Sequence, residues 1–246
     1  MLKIKNISKT FNSNKIFQDF NLTIDPEDFV IIVGGNGSGK STLLNLISGT
    51  CSLDSGSITL DNKNISKLPE YKRASMISRV FQDPFKGTAS DMLTYENLAL
   101  AKRRGGKKTL NWQITEKEKE EYKNLIKSMN LNLEDRLNLK VSLFSGGQKQ
   151  SISLLMATLK KPKLLLLDEH TSALDPRTAK IVLEQTERLV LENKLTTLMI
   201  THNMKDALKY GNRLIMLQNG KITLDISKEE KSEFDINDLL MKFEEM

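Results

Sequence analysis

An α/β fold is predicted for this 246-residue chain: a mixed central sheet, parallel at its core with antiparallel strands beside it, and an inserted α-helical subdomain. Three observations predict it. The apolar run FVIIV at 29–33 passes into the glycine-rich stretch GGNGSGKST at 34–42, and then into leucines and an isoleucine at helical spacing. Strand-like and helix-like segments alternate again after residue 143, the pattern of parallel strands joined by crossover helices. Between these parts, from about residue 90 to 143, the pattern turns helical and more charged.

Element by element, 2–7, 20–24 and 29–33 are rich in β-branched and aromatic residues and are expected as strands, the third buried at the centre. LLNLISG continues the glycine loop as a helix until Gly49 offers a stop. Strands are expected at 57–60 and 76–81, flanking a segment in which Pro69 suits a helix's first turn. In the inserted part, Thr115 followed by Glu118 fits a capping box, and Leu125, Ile126 and Met129 supply the apolar face of that helix. Then come LLLLD at 164–168, a helix from Pro176 to about Glu192, TTLMIT at 196–201 and RLIMLQ at 213–218. Asn219-Gly220 signals a hairpin into KITLDI, since both residues tolerate positive φ. A helical tail is expected over 227–246, and one domain over 1–246 with its helical subdomain at about 90–160.

Hydrophobic residues at 39% and charged residues at 28% are ordinary for a folded globular chain and exclude collagen-like or disordered classes. The longest apolar runs fall far below the roughly 18 residues that span a bilayer, and the lysine-interleaved start does not resemble a signal peptide, so a cytoplasmic location is expected. Cys51 is the single cysteine, which excludes an intrachain disulfide and thiolate metal sites. The net charge is +6, and five positive charges fall in KRRGGKK at 102–108. That run reads either as a solvated loop or as a contact for nucleic acid or anionic headgroups.

Gly34, Gly39, Lys40 and Ser41 satisfy G-x-x-x-x-G-K-[ST], in which backbone N–H groups at a helix start curl around phosphate oxygens. Lys40 would reach the β- and γ-phosphates, Ser41 would place its hydroxyl on Mg²⁺, and Thr42 would face the α-phosphate side. Asp168 and Glu169 end a buried strand, where loops hold ligands in open α/β sheets. Asp168 would help hold Mg²⁺, and Glu169 would orient a water or act as general base, although strands also end in merely solvated acids. FSGGQ at 144–148 precedes an apolar helix and reads either as a second phosphate site, through Ser145, Gly146 and Gly147, or as an ordinary serine-glycine helix start.

Together these motifs closely resemble those of the ATP-binding-cassette ATPases, over nearly the whole chain from about residue 2 to 226. Besides GGNGSGKST and LLLLDE the resemblance rests on Gln82 in VFQDP, the signature FSGGQ, SALDP at 172–176, and His202 in ITHN. The fold class it implies is an α/β P-loop NTPase with a mixed sheet and an inserted helical subdomain. It implies that two cassettes pair head to tail, each ATP lying between one subunit's phosphate loop (Gly34, Asn36, Gly37, Ser38, Gly39, Lys40, Ser41 and Thr42) and the partner's Ser145, Gly146, Gly147 and Gln148. It further implies that Gln82 senses Mg²⁺ and the attacking water, that His202 contacts the γ-phosphate, that Asp175 lies at the dimer interface, and that Phe11 stacks on adenine, a position where core packing is the competing reading. Three departures stand out: Phe144 where leucine is usual, His170 where proline is commonest, and no arginine in SISLLMATL.

The resemblance extends to a bacterial branch of importer ATPases that work with a permease and an extracellular solute-binding protein, some linked to aromatic amino acids. It implies an ATPase subunit, most simply a homodimer, at the cytoplasmic face of the membrane beside transmembrane permease subunits, with no nucleic-acid partner. The insert at 90–143 is then expected to carry the permease contact. An exporter subunit is an alternative that these residues leave open. A nonmembrane cassette acting on ribosomes or nucleic acid is a second, disfavoured by the single phosphate loop and by the lack of room for a long coiled coil.

Overall fold

The computed structural model describes residues 1–106, 114–129 and 133–244. The chain opens with β1 (Leu2–Phe11) and β2 (Asn14–Ile24), joined at Asn12 and Ser13, both at positive φ. β3 (Phe29–Val33) leads through the glycine loop into α1 (Lys40–Ser48), which Gly49 ends in the left-handed conformation. Next come β4 (Ser55–Leu60), β5 (Lys63–Asn64), the single turn α2 (Glu70–Arg73) and β6 (Ile77–Val80). The helical part holds α3 (Thr94–Lys102), α4 (Glu116–Ser128) and α5 (Gly146–Leu159). β7 (Leu164–Asp168), α6 (Pro176–Asn193), β8 (Thr197–Ile200), α7 (Met204–Lys209), β9 (Arg213–Gln218) and β10 (Lys221–Ser227) follow, and α8 (Lys228–Lys231) and α9 (Ile236–Glu244) close the described chain.

The strands form two sheets. One is antiparallel, in the order β2-β1-β4-β5. The other has the order β10-β9-β3-β8-β7-β6 and is parallel throughout except for β10, which returns through the Asn219-Gly220 hairpin. This is the mixed sheet the sequence predicts. Strand alternation sorts the core into two layers. Val30, Ile32, Leu164, Leu166, Leu198 and Ile200 face α1 and the antiparallel sheet. Phe29, Ile31, Val33, Leu165, Leu167 and Met199 face the helices of the insert and α6 and α7.

Several boundaries differ from expectation. The first strand runs on to Phe11, and the second begins at Asn14 because bulges at Ile4/Ile7, Ile7/Lys9 and Lys9/Thr10 let an irregular polar stretch stay paired. The tail forms two helices, α8 and α9, with a break before Ile236. Lys102 is the last residue of α3 and pairs with Glu121 at 2.6 Å; Arg103 pairs with Glu118 at 3.1 Å. Arg104 donates to the carbonyls of Ala157 and Lys160. These three charges are therefore engaged within the chain, whereas Lys107 and Lys108 lie outside the described residues. Among the described residues, no helix is long and apolar enough to cross a membrane.

Candidate functional site

The glycine loop sits where β3 meets α1, at the carboxyl end of the parallel strands. Gly34 has φ +154, and a Cβ there would lie 2.1 Å from the Leu217 carbonyl oxygen, so only glycine lets the loop pass β9 this closely. The β9–β10 turn braces the loop, Gly220 N–H donating to the Ser38 carbonyl at 3.2 Å. Asn36 and Gly37 are exposed at the crest, while Ser38, Gly39 and Lys40 are buried. Ser41 is exposed and Thr42 half-buried on the first turn of α1.

Lys40 folds back over its own loop. Its Nζ donates to the carbonyls of Gly34 at 2.7 Å and Gly35 at 2.8 Å. Burial lowers its pKa, and the nearby carboxylates of Glu169 and Asp168 oppose that shift. The ammonium thus lies within the electrostatic reach of both acids that end β7. Among the described residues the Ser38 hydroxyl has no hydrogen-bond partner; it is buried, a polar group turned into the loop with its bonding capacity unspent.

β7 lies two strands from β3, so Asp168 and Glu169 emerge at the same sheet end as the loop. Glu169 has φ +45, a left-handed conformation unusual for a side chain of its size. Its N–H donates to the Ile200 carbonyl at 3.2 Å, and its carbonyl accepts from Ser172 N–H and Oγ. Its Oε2 stands 3.5 Å from His202 Nδ1, at the end of β8. Gln82, exposed, shares with Asp168, Asn45 and Arg79 the wall of a cavity of about 880 Å³. The loop, Gln82, Asp168, Glu169 and His202 are therefore gathered at one end of the parallel sheet.

The other predicted residues stand elsewhere. Phe11 ends β1 and is 44% exposed, so the core-packing reading does not hold for it. Lys9 Nζ lies 4.9 Å from the Phe11 ring centroid and 2.8 Å from Asp54 Oδ1. Ser145 caps α5: its Oγ accepts from Gln148 N–H at 3.3 Å, and Gln148 Oε1 accepts from Ser145 N–H at 3.1 Å. Ser145 and Gly146 are exposed, while Gly147 is buried against Thr178, to which a Cβ would come within 2.0 Å. Asp175 caps α6, its Oδ1 accepting from Thr178 N–H at 3.1 Å. The signature thus begins a capped helix with its first residues facing outward.

The departures have structural accounts. Phe144 is buried and fills the core, whereas Leu143 is 69% exposed. His170 is buried with Nε2 3.0 Å from Thr186 Oγ1, and burial lowers its pKa to about 4. In the arginine-free helix, Ser151 Oγ donates to Gln185 Oε1 at 2.7 Å and Gln185 Nε2 to the Met129 carbonyl at 2.9 Å, which ties α5 to α6 with neutral groups. Sequence reasoning missed Arg79, whose Nη2 lies 2.5 Å from Asp168 Oδ2. An arginine inside the short strand expected at 76–81 was the available signal; its pairing opposite Leu166, two residues before Asp168, shows only in the fold.

Comparison with known proteins agrees with the geometry. The family model for ABC transporters matches residues 17–172. A tyrosine transport ATP-binding protein of Clostridioides difficile is 48% identical over 99% of this chain and 99% of its own length. A spermidine/putrescine import ATP-binding protein of Haemophilus influenzae is 35% identical over 99% of this chain, which spans 62% of that protein's length. A nucleotide-free ATP-binding cassette from an ABC transporter superposes with a TM-score of 0.79 at 27% identity, covering 98% of this chain and 95% of that one. A dimeric cassette in a post-hydrolysis state with ADP and Pi gives a TM-score of 0.79 at 28% identity, covering 93% and 99%. With its phosphate loop, paired acids and capped signature helix in this fold, the chain belongs to the ABC transporter family and is an ATP-binding-cassette ATPase.

Proposed function

We propose that the chain powers an import system for an aromatic amino acid or a similar small solute, as a head-to-tail dimer seated at the cytoplasmic face of the membrane beneath transmembrane permease subunits, fed by an extracellular solute-binding protein. The observation that carries the ATPase part is the convergence of Lys40, Asp168, Glu169 and His202 at one end of the parallel sheet. The 48% identity, end to end, with a tyrosine transport protein favours an aromatic amino acid over a polyamine.

In this reading the loop residues Gly34, Asn36, Gly37, Ser38, Gly39, Lys40 and Thr42 cradle the phosphates of ATP. Lys40 exchanges its two loop carbonyls for phosphate oxygens, and the unpaired Ser38 hydroxyl gains a partner. Phe11, exposed and backed by Lys9, stacks on adenine. Ser145, Gly146, Gly147 and Gln148 of one copy reach the γ-phosphate of the other, the capped start of α5 supplying N–H groups and the positive end of its dipole. Asp175 faces the partner copy.

Ser41, Asp168 and Gln82 fit Mg²⁺. All offer oxygen, the donor this hard cation takes; Ser41 is exposed; and Asp168 Oδ1 carries no hydrogen bond to a described residue. Bound there, the ion would neutralise charge on the phosphates. Glu169, held by its strained backbone and by Ile200 and Ser172, accepts a hydrogen bond from the attacking water and takes its proton as the bond to the γ-phosphorus forms and the bond to the ADP oxygen breaks. His202, beside Glu169, fixes the γ-phosphate end of the site.

Glu169→Gln keeps the shape and removes the base. ATP binding by this variant is expected to stay within about threefold of wild type, while turnover falls by about 10² or more. Turnover within tenfold of wild type removes the base assignment. Copurification from native membranes tests the transport reading: recovery of a polytopic permease and a lipoprotein that binds aromatic amino acids supports it, and recovery of ribosomes or nucleic acid without a membrane protein overturns it.

A further inference from the structure

Arg79 has no part in the reading above, yet it is tied to three elements of the site. Its Nη2 donates to Asp168 Oδ2 at 2.5 Å and its Nη1 to Asn45 Oδ1 of α1 at 2.7 Å. Its side chain is 12% exposed and that of Asp168 15%, so the pair is largely withdrawn from water. Its Nε is buried and has no partner among the described residues. The guanidinium carbon stands 4.9 Å from the Phe81 ring centroid, and the Phe81 carbonyl, one residue before Gln82, accepts from Gln150 Nε2 at 2.9 Å.

A carboxylate withdrawn from water needs a positive partner. Here an arginine supplies it, on the very side chain read as the acid for the divalent cation. The two positive charges compete for one carboxylate, and a fixed guanidinium repels a divalent ion set beside it. Resting on that reading of Asp168, we propose that Arg79 is its exchangeable counter-ion. It holds Asp168 in the nucleotide-free chain, Asp168 trades it for the cation when nucleotide binds, and the freed guanidinium shifts against Phe81, so that the Gln82 loop registers whether the acid is engaged.

The test titrates Mn²⁺, followed by electron paramagnetic resonance, into protein saturated with ADP, and follows hydrogen exchange over residues 81–86. Arg79→Met is expected to bind Mn²⁺ about tenfold more tightly than wild type. Asn45→Ala, which loosens the guanidinium without removing its charge, is expected to give a smaller gain in the same direction and carries the test if Arg79→Met does not fold. Exchange over 81–86 is expected to respond to Mn²⁺ in wild type and to lose that response in Arg79→Met. Unchanged or weaker Mn²⁺ binding in the variants overturns the proposal; weaker binding makes Arg79 a support that orients Asp168. Asp168→Asn separates the two failures. If it leaves Mn²⁺ affinity unaltered, the assignment of Asp168 falls and the counter-ion falls with it; if it weakens Mn²⁺ while Arg79→Met does nothing, only the counter-ion falls.

Discussion

Arg73→Met probes how the far end of the phosphate-loop helix is held. Arg73 is 2% exposed, and among the described residues its partners are all carbonyls: Nε donates to Leu68 at 2.7 Å, Nη1 to Leu46 at 2.7 Å and Ile47 at 2.9 Å, and Nη2 to Ser66 at 3.0 Å. Leu46 and Ile47 lie in the last turn of α1, where carbonyls lack intrahelical donors and the helix dipole is negative. Methionine fills much of the same volume but donates nothing. Stripping the donor from two buried acceptors costs about 1–3 kcal/mol each, and the lost dipole interaction adds about 0.5 kcal/mol. Against this stands relief of burying a guanidinium, the desolvation that lowers the pKa of Arg73. The net expectation is a loss of about 3 kcal/mol. Urea unfolding followed by circular dichroism reads it as a lower midpoint with an unchanged slope. A loss under about 1 kcal/mol would refute the reasoning, because the cost of burying the charge would then cancel the bonds it makes.

Other consequences are more quickly stated. Lys40→Met should leave the nucleotide-free protein within about 1 kcal/mol of wild type, since burial cost and carbonyl bonds offset, yet weaken ATP by about 10²-fold in calorimetry. Gly34→Ala drives a methyl into the Leu217 carbonyl at a φ favouring glycine, and thermal melts should show a loss of about 2 kcal/mol or more together with ATP binding. The Asp54 carboxyl is held below its ordinary range by the hydrogen bond from Lys9. Its stabilising effect is therefore present at neutral pH and lost as pH falls through that lowered value, and Asp54→Asn should flatten the acid limb of the stability profile at low salt.

Much of this could be read from the sequence where one local force dominates. FVIIV and LLLLD became strands at the expected residues because a fully apolar β-rich run has nowhere to go but the sheet centre. α1 stopped at Gly49 and α4 began at the Thr115–Glu118 box, since each signal acts within one turn. What resisted reading depends on partners distant in the chain. The first half of β2 pairs only through bulges, and α7 is short and polar on its exposed face. Nothing near Arg73 or Arg79 in the chain announces a partner; only the fold brings carbonyls and an aspartate to them. The candidate residues at 34–42, 168–169 and 202 come from motif, and the fold brings them to one sheet end, but Lys40 lying on its own loop was not foreseeable from spacing.

That folded-back lysine alters what a binding experiment on this protein measures. A phosphate loop held open by repulsion would release its full interaction heat on meeting nucleotide. Here the ammonium spans Gly34 and Gly35, so if Lys40 meets phosphate as proposed, ATP displaces bonds as it makes new ones and calorimetry reports the difference between two sets of polar contacts. On the proposed reading, association should be fast and modest in enthalpy, with the discrimination among nucleotides left to the proposed adenine contact at Phe11 and to the second copy.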